Sequence, residues 1–96
     1  MRVRTALEQR LREALAPEAL EIEDQSALHA GHAGARPEGE SHFRVVVVAS
    51  RFDGRNRVAR QRMVFEAAGD LLRTDIHALS ITALTPAEAA ARGGGG

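Results

Sequence analysis

Val3, Ala6, Leu7, Leu11, Ala14 and Leu15 recur three and four positions apart. That is the period of one buried helix face, and it predicts a first helix ended by Pro17. Thr5-Ala-Leu-Glu8 offers a capping box, although the pattern itself opens a turn earlier. Leu20 to Glu23 alternates, with Leu20 and Ile22 on one side, as in an edge strand with one wet face. A long Gly- and His-bearing loop follows. His42 to Ala49, HFRVVVVA, is the clearest strand, and its four consecutive valines predict a central position covered on both faces. Ser50 to Arg57 reads as a turn marked by Asp53-Gly54. Val58 to Leu72 returns to helical spacing through Val64, Phe65, Ala68, Leu71 and Leu72, with Gly69 a weak spot.

Ile76 to Leu84 alternates again, with His77, Leu79, Ile81 and Ala83 on one face. Thr85-Pro86-Ala-Glu88 then carries an N-cap, a proline at the first helical position and a capping-box acid, so a short Ala-rich helix closes the fold. The order is α-β-β-α-β-α. It predicts an α+β domain, a three-stranded sheet with helices on one face, over residues 1–92. Gly93 to Gly96 have no side chains to anchor them and are expected to be disordered.

Composition narrows the function. Ninety-six residues make one domain with a modest core, too small for a large enclosed active site in a monomer. No apolar run reaches membrane-span length, and the N-terminus has no apolar leader core. These features predict a cytoplasmic protein. With no cysteine, the chain has no thiol nucleophile and no thiolate ligand. Thirteen acidic residues balance thirteen basic ones, so attraction of the whole molecule to DNA is not expected. Every basic residue is arginine, the better bidentate phosphate binder. The absence of Trp and Tyr disfavours a base-stacking platform.

Two constellations remain. His29 and His32 lie three residues apart in the Gly-rich loop and could chelate a metal, with His77 as a distant third ligand. The alternative is that the loop histidines are solvated and that His77 is partly buried on a backbone carbonyl. His42 opens a strand and reads as structural. Arg51, Arg55, Arg57, Arg60 and Arg62 crowd a turn and a helix start with one acid, Asp53. They form either a phosphate contact patch or a solvated face paired with Asp53 and Glu66. No paired carboxylates, nucleophile-base set or phosphate-cradling Gly loop emerges, which argues against an enzyme.

Glu40-Ser-His-Phe-Arg-Val45, Ser50-Arg-Phe-Asp-Gly-Arg55, Arg60-Gln-Arg-Met-Val64 and His77-Ala-Leu followed by Leu84-Thr-Pro together resemble the BolA family. The resemblance runs from about Val3 to Glu88. It implies a small sandwich similar to the type II KH domain, with a mixed three-stranded sheet. It also implies a monothiol glutaredoxin partner and a shared [2Fe–2S] cluster, with thiolates from the glutaredoxin and glutathione. On this side the implied ligands are His77 and a loop residue matching His32, with His29 as the alternative. The isolated chain would bind no cluster, and alone would be a monomer or weak homodimer. Family members are also linked to transcriptional control, stress morphology and DNA binding. That link points to Arg51, Arg55, Arg57, Arg60 and Arg62, with the glutaredoxin complex competing for the surface. The KH Gly-x-x-Gly loop is missing, since Gly54-Arg-Asn-Arg57 lacks its second glycine, and Gln61 stands where the family usually has histidine.

Overall fold

The computed structural model describes residues 2–25, 42–74 and 76–92. The first helix, α1, spans Arg2–Leu15 and starts a turn before Thr5. The possible capping box is therefore interior, and Glu8 instead pairs with Arg12 at 3.0 Å. Val3, Leu7, Leu11 and Leu15 form its buried stripe. The helix stops at Ala16, which takes φ +47 before Pro17 and donates its N–H to the Arg12 carbonyl.

Three strands follow: β1 (Ala19–Asp24), β2 (His42–Val48) and β3 (Ala78–Leu84), in the order β1-β2-β3. β1 runs antiparallel to β2, and β3 runs parallel to it. The parallel pair needs a crossover, and the segment between the strands supplies it. That segment contains a 3-10 turn at Ser50–Phe52 and two helices, α2 (Arg57–Ala68) and α3 (Leu71–Thr74). The short α4 (Pro86–Ala91) opens on the expected capping box: the Thr85 hydroxyl accepts from the Glu88 N–H, and Glu88 accepts from the Thr85 N–H.

The core lies between one sheet face and α1 with α2. Phe43, Val45 and Val47 of β2 meet Ile22, Leu7, Leu11, Val64 and Ala68 there. The opposite face differs from expectation. Arg44 is exposed and Val46 only half-buried, so the valine run is central but its second face is open except at the Val48 end. The helices long enough to cover a sheet, α1 and α2, both belong to the core side. On the open side α4 reaches the Val48–Leu84 end, leaving a shallow cavity of about 570 Å³ between them. Arg4 ties α1 to the edge strand, donating to the Ile22 carbonyl at 3.3 and 3.4 Å.

Two boundaries also move. The helix predicted through Leu72 breaks at Gly69, whose φ of +59 ends α2 with its N–H on the Phe65 carbonyl. Arg10 of α1 fills the space beside it and donates to the Ala68 carbonyl at 3.2 Å. The last strand begins at Ala78 rather than Ile76, because Ile76 is buried ahead of the sheet and its N–H bonds the Leu71 carbonyl.

Candidate functional site

Parallel pairing sets His42 opposite Ala78, so His42 and His77 share one end of the sheet. Their ring centroids are 6.3 Å apart, nearly perpendicular at 87°. His77 was expected on the parity of Leu79, facing apolar company. It lies instead in the bend before β3 and is exposed, because Ile76 takes the buried position. His42 is half-buried, and the strand-opening position that made it look structural puts it beside His77. The sequence could not signal this pairing, because it depends on the register of two parallel strands whose partnered residues lie 36 positions apart.

A metal about 2 Å from a ring nitrogen lies roughly 3 Å from that ring's centroid, so two ligating imidazoles have centroids about 5–6 Å apart. The His42–His77 separation of 6.3 Å lies just above that range, so the two rings would have to draw closer to share one ion. Among the described residues no third His, Asp or Glu joins them, so the pair is at most part of a ligand set. His29 and His32 lie outside the described residues. β1 ends and β2 begins at this same end of the sheet, where Asp24 pairs with Phe43.

The arginine turn sits at the other end of β2. Phe52 is fully buried and anchors it, while Asp53 and Arg55 donate their N–H groups to the Ser50 and Phe52 carbonyls. Gly54 supplies the positive φ, +75, that the reversal requires. Asn56 caps α2 by accepting from the Ala59 N–H at 2.8 Å. Arg51, Arg55, Arg57 and Arg62 are exposed.

Arg60 departs from the predicted open patch. Its side chain is 15% exposed and pairs with Glu88, not with Asp53 or Glu66. Nη1 meets Glu88 Oε1 at 2.6 Å and Nη2 meets Oε2 at 3.1 Å. Nε donates to the Arg55 carbonyl and Nη1 to that of Ala83. The paired guanidinium and the Thr85 N–H hold the Glu88 carboxyl at about 2, well below its ordinary value. Arg60, Glu88, Arg55, Arg57 and the β3 edge line a groove of about 420 Å³. Phe65, placed by its spacing on the buried side of α2, is exposed with Val58. Val64 and Ala68 carry the burial instead, and Val58 and Phe65 share an outward stripe with Gln61 and Arg62.

A mixed three-stranded sheet with its two long helices on one face, an imidazole pair at one end and an arginine turn at the other defines a small α+β domain. The chain belongs to the BolA-like family, whose model matches residues 11–88. BolA-like protein 1 of Mus musculus is 45% identical over 86 residues, covering 90% of this chain and 60% of that protein. The DNA-binding transcriptional regulator BolA of Escherichia coli is 39% identical, covering 88% and 77%. The solved BolA domain of SufE1 from Arabidopsis thaliana superposes with a TM-score of 0.77 at 40% identity, covering 88% of this chain and 93% of that one. The chain spans 60% of the mouse protein's length and 24% of SufE-like protein 1 from the same plant. Among the described residues no helix is long and apolar enough to cross a membrane.

Proposed function

We propose that this chain is a non-enzymatic adaptor that pairs with a monothiol glutaredoxin and shares a glutathione-ligated [2Fe–2S] cluster. The observation that carries the reading is the imidazole pair at one sheet end, in a chain that has no thiol of its own. His77 supplies one ligand. His32 is the second, with His29 as the alternative and His42, 6.3 Å from His77, a third candidate if the rings draw closer. When bound, the cluster would supply one-electron chemistry or a transferable iron–sulfur unit, and nitrogen ligation would raise its potential. The imidazoles must be neutral to coordinate, so loading favours neutral over acidic pH. The exposed Val58 and Phe65 on α2 suit contact with a protein partner.

Co-purification with a monothiol glutaredoxin and glutathione tests the assignment through acid-labile sulfide and visible absorption. His77→Ala is expected to lose both, and single His42→Ala, His32→Ala and His29→Ala variants identify the second ligand. Unchanged spectra and sulfide in His77→Ala would remove His77 from the site.

A second reading is supported by the four exposed arginines at the turn and by the DNA-binding name of the E. coli relative. In it, Arg51, Arg55, Arg57 and Arg62 contact nucleic-acid phosphates. Replacing Arg55, Arg57 and Arg62 with Gln would then weaken binding, and would flatten its log–log salt slope by about 0.9 per lost duplex contact. An unchanged slope makes the arginines a solvated face.

A further inference from the structure

Glu88 is not the only anchor of Arg60. The Arg60 Nε and Nη1 donate to main-chain carbonyls of two separate elements, Arg55 before α2 and Ala83 on β3, at 2.8 and 3.1 Å. These bonds fix the plane of the guanidinium and turn its remaining edge toward the groove shared with Arg55 and Arg57. Both carboxylate oxygens of Glu88 occupy that edge. A guanidinium fork accepts two phosphate oxygens in the same geometry as two carboxylate oxygens.

Apart from its pairing with Arg60, the Glu88 side chain is held by the Thr85 N–H of the capping box at 3.0 Å. Glu88 belongs to a helix of six residues with none buried, and its side chain is 45% exposed. Its carboxyl stays charged at neutral pH. An anion entering the groove would therefore compete with a tethered carboxylate for a preset guanidinium.

We propose that the groove between the start of α2 and β3 is a phosphodiester site whose central phosphate position is filled by the chain's own Glu88. This rests on the nucleic-acid reading above and adds to it a built-in competitor. Arg55 and Arg57 give the free protein its salt-dependent binding. Arg60 contributes only when α4 yields Glu88.

Glu88→Gln separates the two roles of the residue. Glutamine still completes a capping box, while the charge that neutralises Arg60 is gone. The binding of a labelled single strand and of its duplex is measured by fluorescence anisotropy across a salt series, and thermal melts confirm folding. Glu88→Gln is expected to bind several-fold tighter at low salt. Its slope should steepen by about 0.9 on duplex or 0.7 on single strand, one added phosphate contact, and the form bound more tightly at equal salt is the preferred ligand. Adding Arg60→Gln to Glu88→Gln should return the slope to that of the unmodified chain.

A Glu88→Gln slope equal to the unmodified one would overturn the masking. If binding still depends on Arg55, Arg57 and Arg62, the nucleic-acid reading survives that result. Absence of binding by both proteins would overturn the two together.

Discussion

Glu88 caps α4 and neutralises Arg60 with one carboxylate, and acid separates these tasks from a neutral replacement. Its carboxyl titrates at about 2 in the folded chain against an ordinary 4.5. A depressed value stabilises the fold above the ordinary pKa, and that stabilisation is lost as pH falls toward the folded one. The melting temperature of the unmodified chain should therefore exceed that of Glu88→Gln at neutral pH, with the gap closing between about pH 4.5 and 2. The gap should be small, since the pair is partly solvated. Asp70, lowered by Arg73, titrates in both proteins and cancels. Backbone conformation gives a second residue-scale test. Gly69 sits at φ +59, and a Cβ there would lie 2.9 Å from Arg10 Nη1. Gly69→Ala should cost about 1–3 kcal/mol by urea denaturation. Ala16 is the reverse case, a β-carbon at φ +47. Ala16→Gly relieves about 1–2 kcal/mol of left-handed strain against about 0.5–1 kcal/mol of added chain entropy, a modest net gain.

At the scale of elements, the arginine turn depends on one apolar anchor. Phe52 is fully buried in the short 3-10 turn between β2 and α2, flanked by exposed Arg51 and Asp53. Phe52→Ala should cost about 3–5 kcal/mol in unfolding free energy and release the turn that positions Arg55 and Arg57. A loss below about 1 kcal/mol would mean the turn is held by its backbone bonds instead. Periodicity revealed the elements because their local signals were strong: the Leu7–Leu11–Leu15 stripe, the valine strand and the Thr85–Glu88 box each carry their cause within a few residues. What escaped was set by packing across the chain. Neither the open second face of β2 nor the outward turn of Phe65 can be read from a run of apolar letters. Both depend on where the covering helices lie. The Arg60–Glu88 pair joins positions 28 residues apart, beyond the reach of any local pattern. His42 is the same kind of case: its strand was legible, but its neighbour across the sheet was not.

For the whole molecule, β2 separates the two candidate surfaces. His42 opens the strand, and the arginine turn follows its last residue, Val48. Seven residues at about 3.3 Å each put the ends about 20 Å apart. Interactions between exposed charges decay over about 8 Å at physiological ionic strength, so charge at one end has little direct influence on the other. The expected competition between a glutaredoxin complex and DNA for a common surface then depends on how far the partner extends. Competition now requires a partner wide enough to reach past α2 from the imidazole end. The functions should then separate by mutation. His42→Ala with His77→Ala should leave the salt slope of oligonucleotide binding unchanged. Replacing Arg55, Arg57 and Arg62 with Gln should leave the acid-labile sulfide per chain of the glutaredoxin complex unchanged. If the arginine variants instead lower the sulfide content, the glutaredoxin must extend over α2, where Val58 and Phe65 lie exposed beside Arg62. Repeating the oligonucleotide titration on the assembled complex decides between these arrangements. Unaltered affinity places the partner at the imidazole end alone, and lost affinity places it across both.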